Sequence, residues 1–362
     1  MNIVHLYKDY FPVLGGIENH IRVLAEAQAK AGHEVTVLVC APGHRSQIET
    51  LNNVRVLKAG RLLTAASMPI SISQPLVLSR LHPDIVHVQS PYPLGEIANY
   101  FAGHAGATVI SYQSDVVRQR RMLRLYGPLL RRILRAADRI IASSPQYVET
   151  SAWLQPLSGK CVVVPLGIDS RRFTPAPSPF DGPPTLLFVG RLRYYKGLDT
   201  LLRAVAGTQG VLLTIVGDGP MRAPLERLTE ELGLSERVVF EGEVDDARLP
   251  QVYHQANVFV LPANARAEAF GLVLLEAMAS GLPCITTDVG TGTSWVVQHG
   301  NTGLVVPPRD PDSLAGAIIE ILQMPDRGSD MGLAGRARVE ACFTPERMIE
   351  RVQAVYEEAL GS

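Results

Sequence analysis

The sequence has few charged and few aromatic residues, which make up 19% and 6% of its 362 positions. Its 34 basic and 35 acidic side chains nearly cancel, and the formal net charge is −1. A balance this close to neutral gives no reason to expect the non-specific attraction that draws a basic protein to nucleic acid. We therefore predict no nucleic-acid partner, and any argument from charge must be local.

Cysteines are also few, and long apolar runs are absent. The four cysteines are far apart in the sequence and form no CxxC pair, which argues against a zinc site or a disulfide framework. No apolar run approaches the ~18 residues of a membrane span, and the first residues, MNIVHLYKDYFP, do not resemble a signal peptide. We expect a reduced, cytoplasmic protein.

Short apolar runs rich in Val and Ile alternate with longer helical patterns along the chain. At about 150 residues per domain, the length predicts two domains, and 46% hydrophobic residues suffice for two packed interiors. The alternation predicts an α/β protein made of two doubly wound, Rossmann-like units with parallel sheets. The predicted strands are 2–6, 34–39, 54–57, 84–88, 108–112, 139–142 and 161–164, then 185–189, 211–216, 238–241, 258–261, 284–286 and 303–306.

The stretch FTPAPSPFDGPP at residues 173–184 separates the two series, because its five prolines resist both helix and strand. We interpret it as a linker between a domain at 1–172 and a domain at 185–343.

Two glycine-containing loops follow strands, at the sheet edge where open α/β folds bind ligands. Gly15 and Gly16 precede a helical pattern, so that backbone can approach a ligand there; a simple tight turn explains them equally well. The second loop, GRLRYYKG, begins at Gly190 and sets Arg191 and Lys196 just beyond a strand. A guanidinium and an ammonium at that position suit a pyrophosphate, although a loop of solvated charges is the alternative.

The segment EAFGLVLLEAMASGLPCIT carries Glu268 and Glu276 at the two ends of an apolar helical run. Its helix is predicted to start near Gly271, so the N–H groups of Phe270, Gly271 and Leu272 are available to a diphosphate. Glu268 then suits sugar hydroxyls, and Glu276 suits a ribose diol. The alternative is a helix-start acid followed by a paired, partly buried carboxylate.

Residues 118–139 contain eight arginines, no lysine and one acid, with apolar residues at helical spacing, and Gly127-Pro128 is expected to interrupt the helix. The pattern fits the surface of an anionic membrane, and it fits equally a core-packed helix with a solvated basic face. The arginines that we assign to a membrane surface are Arg118, Arg120, Arg121, Arg124, Arg131, Arg132 and Arg135.

Taken together, EAFGLVLLE and several further motifs resemble the retaining GT-B glycosyltransferases of glycosyltransferase family 4. The motifs are GGIE at 15–18, PDIVHVQSP at 83–91, VPLGID at 164–169, VGRLRYYKG at 189–197 and VGDGP at 216–220. They span essentially the whole chain in order.

The resemblance implies a GT-B fold, in which two Rossmann-like domains face a cleft. The first domain would bind the acceptor and the second the nucleotide sugar, and a final helix at 344–362 would return to the first domain. Arg191 and Lys196 match donor diphosphate ligands, Glu268 the contact to the transferred sugar, and Glu276 the ribose ligand.

One position departs from the family pattern. The segment ISYQSDVVRQ resembles a family segment that often reads His-x-Asp, and Gln113 stands where the histidine is expected. Glutamine cannot transfer a proton at neutral pH, so we assign Gln113 and Asp115 to positioning a sugar or acceptor. A strand-end amide followed by a helix-capping aspartate is the alternative.

The function expected from these residues is retaining transfer of a sugar from a nucleotide diphosphate sugar to a saccharide or polyprenyl-linked acceptor, in polysaccharide synthesis. GDP-mannose is the first choice of donor, because the segments around Gln113 resemble bacterial mannosyltransferases; UDP-sugars stay open. Asp310 and Asp312 form a DxD, but their position favours a helix start, and we predict no metal and no other cofactor. The alternatives are a nucleotide-sugar epimerase and a non-catalytic nucleotide-sugar sensor. We expect a cytoplasmic location, with peripheral binding to the inner face of the cell membrane as a hypothesis.

Overall fold

The computed structural model describes residues 1–13, 15–65, 68–115, 120–177, 182–326 and 328–361, without the side chains of 120–123. Contacts divide the chain into two compact units, Met1–Leu166 with Pro345–Ser362, and Gly167–Thr344. Residues 167–172, which the sequence analysis assigned to the first domain, group with the second unit. Ile168 donates its N–H to the Phe343 carbonyl at 2.9 Å, and Arg172 lies 3.7 Å from the Asp246 carboxylate.

The first unit is built on an eight-stranded sheet with the order β10-β9-β8-β7-β1-β2-β4-β3. Neighbouring strands pair in parallel except β3 and β4, and β5 and β6 form a separate antiparallel pair. The strands of this unit are β1 Asn2–Leu6, β2 Glu34–Cys40, β3 Gln47–Leu51, β4 Val54–Ala59, β5 Leu63–Ala65, β6 Met68–Ile70, β7 Ile85–Ser90, β8 Ala107–Tyr112, β9 Arg139–Ala142 and β10 Cys161–Val163. All seven predicted strands are present. β3, β5 and β6 were not predicted, because β5 and β6 have three residues each and β3 and β5 are largely exposed.

Helices cover both faces of this sheet, so its central strands are buried on both sides; β7, for example, is buried at every position. The helices are α1 Gly16–Lys30, α2 Ser73–Leu78, α3 Pro93–Ala102, α4 Arg120–Ala136 and α5 Pro145–Thr150. The predicted interruption of α4 is wrong, since the helix continues through Pro128. Proline removes one backbone hydrogen bond, but burial of Leu130, Ile133 and Leu134 on one face holds the helix together.

The second unit has a six-stranded, fully parallel sheet with the order β13-β12-β11-β14-β15-β16. Its strands are β11 Thr185–Val189, β12 Leu212–Val216, β13 Val238–Gly242, β14 Val258–Leu261, β15 Cys284–Thr287 and β16 Gly303–Val306, and all six were predicted. Its helices are α6 Leu198–Ala206, α7 Arg222–Glu231, α8 Leu249–Tyr253, α9 Leu272–Ala279, α10 Thr293–Val296, α11 Pro311–Gln323 and α12 Ser329–Cys342. Strand order reverses between β11 and β14, and a crevice for ligands forms at such a switch point.

The last helix, α13 Pro345–Leu360, belongs to the first unit. Its buried face includes Met348, Val352, Val355 and Tyr356, which pack in one cluster with residues of α1 and of the strands β1, β7, β8 and β9. The chain therefore completes the core of its first unit with its last helix.

Candidate functional site

In the second unit, the loop after β11 carries the basic residues predicted to bind a diphosphate. Gly190 has a φ of 144°, which favours glycine, and a Cβ built there would lie 3.5 Å from Lys196 Nζ. Arg191 is exposed, and among the described residues it has no hydrogen bond or ion pair. The loop ends in a 3-10 turn, Tyr194–Lys196, which turns the Lys196 side chain back into the protein, where it is buried.

Lys196 forms a buried ion pair with Glu268, with 2.6 Å between Nζ and Oε2 and each side chain about 10% exposed. Burial on its own lowers the pKa of Lys196, but the adjacent Glu268 carboxylate outweighs this effect and holds it above the ordinary value. The ammonium is therefore charged and fixed in position. Two residues predicted to act on different parts of the donor are in direct contact.

The loop between β14 and α9 positions Glu268. Its Asn264 N–H donates to the Tyr195 carbonyl at 2.9 Å, which ties it to the loop after β11. Gly197 packs against it so closely that a Cβ would lie 1.9 Å from the Pro262 carbonyl oxygen. The Thr291 hydroxyl donates to the Glu268 carbonyl at 2.7 Å. Backbone contacts of this kind bring Lys196 and Glu268 together at the switch point of the sheet.

Helix α9 begins as predicted, with Gly271 as its N-cap at a φ of 81°. In the described part of the chain, no backbone carbonyl accepts the N–H groups of Phe270, Gly271 or Leu272. The Phe270 ring is buried against Trp295 and Phe343, with ring centroids 6.5 and 6.0 Å away. This aromatic packing anchors a helix end that offers N–H donors to an anion.

Glu276 lies further along α9, where the Tyr253 hydroxyl donates to its Oε2 at 2.8 Å. Burial raises the pKa of Glu276 to about 7, although the Tyr253 hydrogen bond and the positive charge of Arg172 oppose the increase. Its other carboxylate oxygen has no hydrogen bond with the described residues, so the side chain can still accept one from a ligand.

The remaining predicted residues lie in the first unit. Gly15 is the N-cap of α1 and Gly16 its first residue. A Cβ on Gly15 would lie 2.1 Å from Glu18 Oε2, so the absent side chain leaves room for the Glu18 carboxylate. Glu18 is buried, and its pKa is raised because burial disfavours its charge. A packing role thus accounts for Gly15 in this unit.

Gln113, at the end of β8, joins a buried network of hydrogen bonds. Its amide donates to Gln89 Oε1 at 2.9 Å, and the Gln89 amide nitrogen lies 3.3 Å from His87 Nε2. That nitrogen of His87 must then accept, so Nδ1 carries the proton and donates to the Tyr356 hydroxyl at 2.7 Å. Burial lowers the pKa of His87 well below its usual value, and the ring is neutral.

This network links Gln113 to α13. Tyr356 was not predicted as a site residue, because in the sequence it is one more large side chain on the apolar face of the final helix.

Asp115 is held by other protein groups. The hydroxyls of Tyr112 and Ser151 both donate to its Oδ1 at 3.0 Å, and its own N–H donates to the Tyr147 hydroxyl at 2.5 Å. The carboxylate therefore fixes the end of β8 to α5. The alternative prediction was that Asp115 caps a helix. That helix would begin within residues 116–119, which lie outside the described residues.

Four of the seven arginines predicted at a membrane surface are described with side chains, namely Arg124, Arg131, Arg132 and Arg135, and all four are exposed. The Arg131 guanidinium lies over the Trp153 ring at 5.2 Å. Leu125 is 87% exposed on the same helix. Arg118 and the side chains of Arg120 and Arg121 lie outside the described residues. Of the helices described, none has the length and apolarity to cross a bilayer.

Asp310 caps helix α11, as its sequence position suggested. Its Oδ1 accepts the Ser313 N–H at 3.0 Å, which confirms the predicted helix start. Over the described ranges, no three His, Cys, Asp or Glu side chains are grouped so as to hold a metal ion.

Comparisons with known proteins agree with this architecture. Residues 14–172 match the model described as Glycosyltransferase Family 4, and residues 170–338 match Glycosyl transferases group 1. The chain is 34% identical to the O-antigen chain mannosyltransferase C of Escherichia coli over 372 aligned positions, which cover 100% of both chains. It is 36% identical to the D-rhamnosyltransferase WbpZ of Pseudomonas aeruginosa, covering 95% of this chain and 92% of that protein.

Among solved structures, the sucrose-phosphate synthase from Thermosynechococcus elongatus is similar over 99% of both chains, with a TM-score of 0.81 and 26% identity. The chain therefore belongs to the group 1 glycosyltransferases of glycosyltransferase family 4, and it has the GT-B fold.

Proposed function

We propose that this protein transfers a manno-configured sugar, first choice mannose from GDP-mannose, to a saccharide or polyprenyl-linked acceptor in cell-surface polysaccharide synthesis. The observation that carries the proposal is the buried Lys196–Glu268 ion pair at the switch point of the second unit. Two similar proteins named as a mannosyltransferase and a D-rhamnosyltransferase support the choice of sugar, because D-rhamnose is 6-deoxy-D-mannose.

In this proposal, Arg191 and the N–H groups of Phe270, Gly271 and Leu272 hold the donor diphosphate. Lys196 adds a fixed positive charge beside the leaving phosphate, and Glu268 receives hydrogen bonds from hydroxyls of the transferred sugar. Glu276 binds the ribose. Each group is a donor or acceptor of the type that its ligand needs.

The reaction retains the configuration at the anomeric carbon. The bond from that carbon to the diphosphate oxygen breaks, and the acceptor oxygen forms its new bond on the same face. The acceptor proton passes to the departing diphosphate oxygen, so no histidine is needed at position 113. Arg191 and the amides stabilise the negative charge that develops on the diphosphate.

The test measures release of nucleoside diphosphate from GDP-mannose, GDP-D-rhamnose, UDP-glucose and UDP-galactose, with and without glycoside acceptors and in the presence of chelator. We expect release with GDP-linked sugars, unaffected by chelation, and product with an axial anomeric bond by NMR. Arg191→Ala and Glu268→Gln should each lower kcat/KM at least about 100-fold, the scale of losing one stabilising donor.

The matched controls are Arg203→Ala and Glu236→Gln, at exposed positions of the same unit. UDP-sugar specificity would replace the donor assignment, and a new nucleotide sugar formed without released diphosphate would identify an epimerase. Saturable donor binding with no turnover, with any acceptor, would identify a sensor. Turnover that survives both Arg191→Ala and Glu268→Gln would refute the assigned roles.

We further propose that α4 binds the anionic inner face of the cell membrane. The exposed side chains of Arg124, Arg132 and Arg135 support this, together with the exposed Leu125. Near an anionic surface each basic residue contributes about 1 kcal/mol, so Arg132→Gln with Arg135→Gln should weaken binding to phosphatidylglycerol vesicles about 30-fold at low salt. Phosphatidylcholine vesicles and a double variant at two exposed arginines of the second unit are the controls. Equal binding by both double variants would contradict the proposal.

A further inference from the structure

The first unit contains a small, partly open pocket, and Gln113 is the one lining residue to which the sequence analysis assigned a role. It lies beyond the carboxyl ends of β8 and β9, between residues of α1 and α13. Its polar lining includes His20, Ser111, Gln113 and Ser143, and Val352 of α13 is among its apolar lining residues. Ligands of open α/β sheets collect at this edge of the strands.

Two buried polar atoms of this lining have no hydrogen-bond partner among the described residues: His20 Nε2 and Ser143 Oγ. The two residues are 9% and 6% exposed. A buried polar group without a partner is costly, so a partner is expected where two such groups line one pocket.

The pocket admits a neutral group of limited size. None of its lining side chains carries a charge, since burial lowers the pKa of His20 to about 4 and keeps its ring neutral at physiological pH. The volume of about 10 Å³ accommodates one water-sized group. A hydroxyl group fits both limits, whereas a phosphate or a whole sugar ring does not.

Neighbouring hydrogen bonds hold the polar lining in place. Ser111 Oγ lies 2.7 Å from His87 Nε2, and this nitrogen accepts because the Gln89 amide also faces it. The Ser111 hydroxyl therefore donates to His87, and Gln113 donates to Gln89. These bonds fix one side of the pocket, and His20 Nε2 and Ser143 Oγ are its buried polar atoms that have no partner among the described residues.

We propose that this pocket is an acceptor subsite, in which His20 and Ser143 bind a single hydroxyl group of the saccharide acceptor. The inference rests on the proposed transferase function and extends it by assigning a specificity-determining site in the first unit. Water carries the same chemistry, so the experiment must separate a water-filled pocket from one that takes an acceptor hydroxyl.

The test uses the whole protein with GDP-mannose, octyl α-D-mannopyranoside and the 2-, 3-, 4- and 6-deoxy analogues of that glycoside. Ser143→Ala removes the hydroxyl, Ser143→Val fills the space, and Ser235→Ala is the control at an exposed position. We expect Ser143→Ala to lower kcat/KM for the parent glycoside about fivefold to tenfold, the usual scale for one neutral hydrogen bond. With the wild-type protein, kcat/KM for one deoxy analogue should be lower than for the parent glycoside by a similar factor. For that analogue, Ser143→Ala should cause no further decrease in kcat/KM.

Saturation-transfer NMR of the same glycosides on the GDP-bound protein gives a second measurement that does not need turnover. Ser143→Val should weaken the saturation-transfer signal of the parent glycoside. It should leave unchanged the signal of the deoxy analogue whose kcat/KM does not respond to Ser143→Ala. If the effects of Ser143→Ala and of every deoxy position are additive, the pocket holds water only and the proposal is wrong. Absence of glycoside binding by wild-type protein would also overturn it, while GDP release in the same samples tests the transferase assignment separately.

Discussion

Removing one partner of the Lys196–Glu268 ion pair should destabilise the second unit far more than removing both. The two side chains are about 10% exposed, and Nζ and Oε2 are 2.6 Å apart. Loss of one partner leaves a buried, uncompensated charge, which typically costs about 3–5 kcal/mol. We therefore expect Lys196→Met and Glu268→Gln each to lower the free energy of unfolding by about 3 kcal/mol, and the double variant to lower it by clearly less than either single change.

The two tryptophans allow this measurement to be made on one unit at a time. Trp153 lies in the first unit and Trp295 in the second. In a Trp153→Phe background, urea unfolding followed by the fluorescence of Trp295 reports on the unit that holds the ion pair. The Arg222–Glu226 pair of the same unit, whose side chains are 32% and 43% exposed, is the control, and its removal should have little measurable effect. Single variants that each cost under about 1 kcal/mol, with additive effects, would refute the reasoning.

Three further changes have defined outcomes. Because the pKa of Glu276 is about 7, kcat/KM for the donor should rise with pH through about 7 as the Glu276 carboxylate ionises. Glu276→Gln should abolish this step in the pH profile. A Glu276→Gln profile identical to that of the wild-type protein would contradict the role. Gly197→Ala should reduce kcat/KM more than about tenfold, since its Cβ would meet a carbonyl oxygen at 1.9 Å, whereas Gly233→Ala at a similar φ with open space should retain activity. Tyr356→Phe should cost about 1–3 kcal/mol by leaving a buried N–H of His87 unpaired, measured by the tryptophan fluorescence of the first unit; an unchanged unfolding midpoint would argue against the network.

The sheets could be predicted closely because buried parallel strands are continuous apolar runs. β9 and β11 occupy the predicted residues, and β3 escaped prediction because an exposed edge strand lacks that signal. The predicted first domain ended at residue 172, whereas contacts group residues 167–172 with the second unit, for a related reason. A proline-rich stretch shows where regular structure stops, whereas unit membership depends on contacts with distant residues such as Phe343.

The sequence allowed the residues of the proposed donor site to be predicted, but not the contacts between them. Lys196 and Glu268 were both singled out, yet their pairing depends on β11 and β14 lying side by side, which periodicity does not reveal. Likewise, the partners of His87 lie on β7, β8 and the final helix, and a lone buried histidine gives no indication of them. Hydrogen bonds at both ring nitrogens make His87 a core residue whose polar groups all have partners.

The ion pair also changes how charge at the proposed donor site must be understood. Because Glu268 neutralises Lys196, the pair presents no net charge to a diphosphate, although its ammonium is a rigid donor. The loop after β11 carries two other positive charges, Arg191 and Arg193, and neither has an ion pair among the described residues; Arg191 is the more exposed of the two. We therefore expect these two arginines and the open N–H groups at α9 to attract the anionic donor, while Lys196 and Glu268 hold fixed positions beside it. Loss of Arg191 should accordingly raise the donor KM more steeply at low salt, and loss of Glu268 should act mainly on kcat.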